Sequence, residues 1–177
     1  MVSVLSLRPF ELGDEVHAVA IVAAVYHEYG FTWDADEYHA DLYDLAAHFS
    51  APHGFWLAEY EGRPIGTGAL HVFPEAIPGS GELTSIDDYP RIVGCDCSLE
   101  RLYVHPDARR LGAGLALFRH IIAEAHARGC RQMEIWSDKR FAQAHQLYQK
   151  LGAEVVGDRI CRDPDQSPEF GLRLKLR

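Results

Sequence analysis

The sequence lacks several features, and each absence removes a class of function. No apolar run approaches the length needed to span a bilayer. The opening stretch, MVSVLSLRPFELGDE, has no basic start followed by an apolar core, so no secretory signal is read there. Both absences lead us to expect a cytoplasmic setting with no membrane partner. Basic residues are scarce: 17 Lys and Arg face 26 Asp and Glu, a net charge of −9. Displacing counterions from nucleic acid needs a basic face, so nucleic acid is not expected as a partner. The four cysteines, at 95, 97, 130 and 161, form no C-x-x-C pair. Their spacing is poor for zinc, and they read as buried free thiols, with no metal expected. G-x-G-x-x-G and G-x-x-x-x-G-K-[ST] are both missing, which leaves a dinucleotide oxidoreductase or a P-loop hydrolase poorly supported. There is no internal repeat and no linker, so the 177 residues are expected to form a single domain, 1–177.

The apolar pattern that is present alternates between strand and helix periods. LSLRPFEL reads as a short strand, and Asp14 is placed to cap the run 15–30, whose length and alanine content favour a buried helix ended by Gly30 and whose β-branched residues leave strand as the alternative. DADEYHADLYDLAAHF puts Tyr38, Leu42, Leu45 and Phe49 on one face of a second helix, its other face acidic. A hairpin follows, with strands near 54–60 and 64–73 and Gly62 at the turn. Residues 74–94, rich in Pro, Gly, Ser and Asp, read as a long loop. CDCSLERLYV is a strand whose period of two puts Asp96, Ser98, Glu100, Leu102 and Val104 on one face. A helix follows with Leu111, Leu115, Phe118, Ile122 and Ala125 as its stripe, then a strand (RQMEIWS), a helix (KRFAQAHQLYQKLG) and two closing strands. The order β-α-α-β-β-β-α-β-α-β-β is mixed α/β.

One local feature runs against the global charge. VHPDARRLGAG places Arg109 and Arg110 just ahead of Gly112 and Gly114, where a strand turns into a helix. A helix N-terminus offers free N–H groups and about half a positive charge. Glycine lets backbone approach a ligand, and arginine adds charge-assisted bonds. Local basicity in an acidic chain marks a local anionic ligand; the plainer alternative is a tight turn with solvated arginines.

At these residues the sequence resembles the N-acetyltransferases of the GNAT superfamily. Their cofactor signature, R/Q-x-x-G-x-G/A after a strand ending in LYV-x-P, is matched by Leu102, Tyr103, Val104, Pro106, Arg109, Gly112 and Gly114. A second family segment, A-x-x-L-Y-x-K-L-G-F, is matched by Ala144, Leu147, Tyr148, Lys150, Leu151 and Gly152, with Ala153 at the aromatic position. The asparagine that many relatives carry seven residues before the tyrosine is Phe141 here, with Ser137 or Asp138 as polar stand-ins.

The resemblance implies a GNAT-like fold with a splayed central sheet and acetyl-CoA as co-substrate. Its pantetheine arm would run along Leu102, Tyr103 and Val104. Its pyrophosphate would sit on Arg109, Arg110, Leu111, Gly112, Ala113 and Gly114. Tyr148 would be the general acid, with core packing as its alternative role. Glu100 would be the general base, with an ion-paired or solvent-facing side chain as its alternative role, His105 and His71 being lesser candidates. The acceptor would be the amine of a small molecule or peptide, and a homodimer is compatible. A non-catalytic acyl-CoA sensor of the same fold is the alternative function. The acidic residues Asp34, Asp36, Glu37, Asp41 and Asp44, with Glu82, Asp87 and Asp88, would favour a neutral or cationic acceptor; a solvated acidic face is the plainer alternative.

Overall fold

A computed structural model describes residues 4–176. Among these residues, nine strands and four α-helices follow in the order β1 (Leu5–Pro9), α1 (Glu15–Tyr29), α2 (Leu45–Phe49), β2 (Gly54–Tyr60), β3 (Arg63–Val72), β4 (Leu83–Ile86), β5 (Tyr89–Ile92), β6 (Cys97–Val104), α3 (Ala113–Ala127), β7 (Gln132–Asp138), α4 (Ala142–Lys150), β8 (Glu154–Ile160) and β9 (Pro168–Lys175). Seven strands hydrogen-bond in the order β1-β2-β3-β6-β7-β9-β8, while β4 and β5 make a separate ribbon. β6 and β7 are parallel and β7, β9 and β8 antiparallel, so the sheet is mixed. The chain divides into two compact units: Met1–His71 with Glu100–Ala123, and Val72–Leu99 with Glu124–Arg177.

In the first unit, α1 buries Ala18, Ile21, Val22, Val25 and Tyr26, the i, i+3, i+4 rhythm that makes one helical face. Of these, Ala18, Val22 and Tyr26 join Leu42, Leu45, Phe49, Phe55, Leu57 and Ala69 in one apolar cluster, which Phe31, Trp33, Tyr38 and Tyr103 flank. The hairpin β2–β3 closes as expected, with positive φ at Glu61 and Gly62. Asp14 stands at the start of α1 but does not cap it through its side chain. Its carboxylate instead takes the Arg8 guanidinium at 2.6 and 3.0 Å and the Glu11 N–H at 2.7 Å. The arginine bond is also what holds the Asp14 carboxyl below its ordinary range.

The expected second helix over 34–49 is a correction. The segment contains a 3₁₀ turn at Ala40–Tyr43 and only five helical residues, Leu45–Phe49. Aspartates break it, because their side chains compete for backbone amides. Asp34 accepts from the N–H groups of Asp36, Glu37 and Tyr38 at 3.1–3.3 Å, and Asp44 from Ala47 at 3.0 Å. The expected stripe of α3 is also rotated: Leu117, Phe118, Ile121 and Ala125 are fully buried, whereas Leu111 is 40% exposed.

In the second unit, residues 74–94 are not a plain loop. Leu83–Ile86 and Tyr89–Ile92 pair as a hairpin, turning through Asp87 and Asp88 at φ 51° and 57°. Consecutive positive φ values suit a two-residue hairpin turn, and Asp tolerates them. The ribbon lies against β8, where a Cβ on Gly157 would come within 2.4 Å of the Leu83 Cδ1. The Arg91 guanidinium donates to buried Glu134 at 2.7 Å, and Glu82 pairs with Arg173 at 2.8 Å.

Candidate functional site

The loop between β6 and α3 lies within the first unit. After Val104 the chain makes a 3₁₀ turn, Pro106–Ala108, and His105 caps it by accepting the Asp107 N–H on Nδ1 at 3.2 Å. His105 is thus a turn residue. Arg109 is extended, Arg110 has φ 65° and Gly112 φ 85°. Turns with left-handed residues can gather successive N–H groups into a nest for an anion. The left-handed conformation costs a non-glycine residue about 1–2 kcal/mol, and strain of this kind clusters at functional sites. A Cβ on Gly112 would meet nothing within 4 Å, so backbone conformation, not crowding, demands glycine there. The first backbone bond into α3 runs from the Ala116 N–H to the Gly112 carbonyl at 3.0 Å. The amides of the opening turn therefore point out along the helix axis, where the macrodipole is positive. Arg110 and Leu111 are exposed and Ala113 is buried.

The Arg109 side chain does not reach over this concavity. Its guanidinium makes a two-pronged ion pair with Glu28, Nη1 to Oε1 at 2.7 Å and Nη2 to Oε2. That bond raises the arginine's affinity for its proton and lowers the glutamate's. Glu28 was not among the residues that the sequence pattern singled out. Its partner lies 81 positions away, and no local pattern carries that information.

The strand before the loop departs from simple alternation. Arg101 sits at φ 48° within β6, and its carbonyl accepts the Thr67 hydroxyl at 2.7 Å. Its guanidinium donates to both oxygens of Asp41 at 2.8 and 2.9 Å and to the Tyr38 carbonyl at 2.5 Å. The shared face expected for Asp96, Ser98, Glu100, Leu102 and Val104 is interrupted at Arg101, because a left-handed residue breaks the period of two between Glu100 and Leu102. Asp96 precedes the strand and caps the Arg131 and Gln132 amides at 2.9–3.2 Å. Ser98 is buried, Glu100 is exposed, and Leu102, Tyr103 and Val104 are half-buried. The signal for Arg101 was an arginine inside an otherwise apolar strand end.

Three of the carboxylates in the acidic stretch 34–44 are committed to structure. Asp34 and Asp44 hold backbone amides and Asp41 holds Arg101. His39 is fully buried, stacked on Trp33 at 3.9 Å between ring centroids, with Tyr26 edge-on at 4.5 Å. Burial, with help from the Arg101 charge, pushes its pKa down to about 4, so it is neutral at pH 7. His71 stacks on His53 at 4.0 Å.

In the second unit, Tyr148 is 4% exposed and shares the buried face of α4 with His145. Phe141 stands at the helix N-cap. Both polar stand-ins have partners: Ser137 Oγ lies 3.0 Å from His145 Nε2, and Asp138 accepts from the Arg140 N–H and guanidinium at 2.6–2.8 Å. All four cysteines are buried and none forms a disulfide. Asp96, Cys97 and Cys130 offer ligand atoms within 4.8 Å of one another. Burial raises both thiol pKa values, however, and the Asp96 carboxylate already holds two amides, so we assign no metal centre.

Comparison with known proteins agrees with this anatomy. Residues 20–153 match the model of the acetyltransferase (GNAT) family. A curated relative, the uncharacterized N-acetyltransferase YjgM of Escherichia coli (strain K12), is 27% identical over 153 residues, 85% of this chain and 82% of that protein. A GNAT-family acetyltransferase from Staphylococcus aureus Mu50 superposes with a TM-score of 0.76 at 14% identity, over 98% of this chain and all of that one. YncA of Salmonella typhimurium, solved with its cofactor acetyl-CoA, superposes at 0.66 with 18% identity, over 98% of this chain and 94% of that one. The family match spans the glycine loop, the strand before it and the tyrosine segment after it. With a mixed seven-stranded sheet flanked by helices, the chain belongs to the GNAT family and is an acetyltransferase.

Proposed function

We propose that the protein is an acetyl-CoA-dependent N-acetyltransferase, formed as one domain, that moves an acetyl group directly to the amine of a small molecule or peptide. The observation that carries this reading is the 109–114 backbone. In a member of an acetyltransferase family, two left-handed residues and an open helix N-terminus make an amide nest fit for a pyrophosphate. The backbone of Leu102–Val104, beyond the left-handed Arg101, takes the pantetheine arm. Glu100, exposed to water, accepts the amine proton directly or through a water molecule. The nitrogen lone pair forms the new bond to the thioester carbon. As the C–S bond breaks, Tyr148 gives its phenolic proton to the departing sulfur. A phenol and a thiol differ by about 1.5 pKa units, so this transfer is only mildly uphill.

The test is turnover, read by free-thiol release over amines, amino acids, polyamines and peptides, in wild type and Tyr148→Phe. The ring stays and only the proton is lost. The kcat should therefore fall about 10²–10⁴-fold, with coenzyme A affinity and thermal midpoint nearly constant. A normal rate in the variant removes Tyr148 from the mechanism. Joint loss of stability and binding makes it a packing residue. Tight acetyl-CoA binding without turnover of any amine would identify a sensor.

A further inference from the structure

We propose that Glu28 is a positioning residue for the cofactor site, and that Arg109 is its tether, not a ligand of the phosphate. The proposal rests on the reading of 109–114 as the pyrophosphate nest.

Glu28 occupies a place that suits a carboxylate poorly. It lies in the last turn of α1, where the helix dipole is negative and acidic side chains are disfavoured. Unpaired, its charge would also repel an anion arriving at the loop that Arg109 begins. The two-pronged bond from Arg109 cancels that charge. Each group's pKa is moved in the direction that keeps the pair ionised, and the bond itself is the largest cause for both. The carboxylate fills the Nη1–Nη2 edge of the guanidinium and holds it toward α1, which leaves only the Nε edge for any other anion.

The pair also has mechanical consequences. α1 packs beside the Pro106–Ala108 turn, in which Ala108 is buried. Arg109 follows directly and is extended, and Arg110 then enters the left-handed region. Fixing Arg109 to α1 fixes the residue from which the nest departs. Anion recognition then falls to the loop amides and the open end of α3, not to the arginine side chain. Both partners are about one-third exposed, with side-chain exposures of 35% and 39%, so the tether should have a modest effect.

The experiment compares wild type with Glu28→Gln, Arg109→Gln and the charge-swapped double variant Glu28→Arg/Arg109→Glu. It measures acetyl-CoA affinity by calorimetry, KM and kcat, and hydrogen exchange of the 110–116 amides without ligand. Each single variant should weaken binding about threefold to tenfold and raise KM for acetyl-CoA with kcat unchanged. Each should also speed exchange at the loop. The swap should restore exchange, and affinity to within about threefold of wild type. If the swap destroys affinity more completely than Arg109→Gln does, the arginine grips the phosphate and the proposal is wrong. It is equally wrong if Glu28→Gln tightens binding, or if loop exchange ignores all three variants. A wild-type protein that binds no acetyl-CoA overturns the reading of the site, and this proposal with it. Normal wild-type binding with an unrescued swap overturns this proposal alone.

Discussion

Two stretches of the first unit stand out by charge, RRLGAG at 109–114 and DADEYHADLYD at 34–44, and the structure uses them in opposite ways. In the glycine loop the backbone makes the candidate site while the Arg109 side chain turns away to Glu28. In the acidic stretch the side chains turn inward to hold the backbone and Arg101, so the carboxylates that suggested an acceptor-binding face serve mostly as caps and ties. A run of charge in a sequence reports that ions are present. Whether they meet a ligand or the chain itself depends on where the amides point.

That contrast can be broken at its strongest point first. Asp41→Ala removes the partner of Arg101, whose side chain is only 11% exposed. Orphaning a buried charge should cost about 3 kcal/mol, a fall in the thermal midpoint of roughly 6–12 °C, with acetyl-CoA affinity of the folded protein little changed. Intact stability with lost turnover would make the acidic stretch a ligand site after all.

The glycine loop should answer in the opposite sense. Gly112→Asp sets a carboxylate beside the nest and forces an L side chain to φ 85°. Calorimetry should show coenzyme A binding weakened at least about tenfold, or ~1.4 kcal/mol, in a protein that still folds. Unchanged affinity would remove the loop from the cofactor site.

A smaller effect tests whether the acidic stretch is a folded framework. Histidine in an unfolded chain titrates near pH 6.5, whereas buried His39 titrates near 4. Between those values the unfolded chain holds a proton that the folded one refuses. Stability should therefore fall as pH drops from about 6.5 toward 4, by at most ~1.4 kcal/mol per pH unit. Denaturant midpoints at pH 7 and 5 should separate less in His39→Asn than in wild type. Equal separation would mean that His39 does not carry this dependence.

Sequence periodicity alone determined most of the framework: α1, the β2–β3 hairpin, the strand–loop–helix unit around Arg109 and Gly112, and the tyrosine segment. These features are legible because they rest on local rules, with apolar spacing setting helix faces and glycine marking the residues that must adopt positive φ. The β4–β5 hairpin was equally local but easily missed, since Asp87 and Asp88 do the work that Asn-Gly usually does. Only the tertiary structure decided the rest. Arg101 enters the left-handed region inside a strand, where Thr67 and Asp41, 34 and 60 positions away, take its carbonyl and its charge. Glu28 finds Arg109 across 81 positions. A charged side chain chooses its partner among groups that folding brings within about 3 Å, and no spacing along the chain encodes that choice.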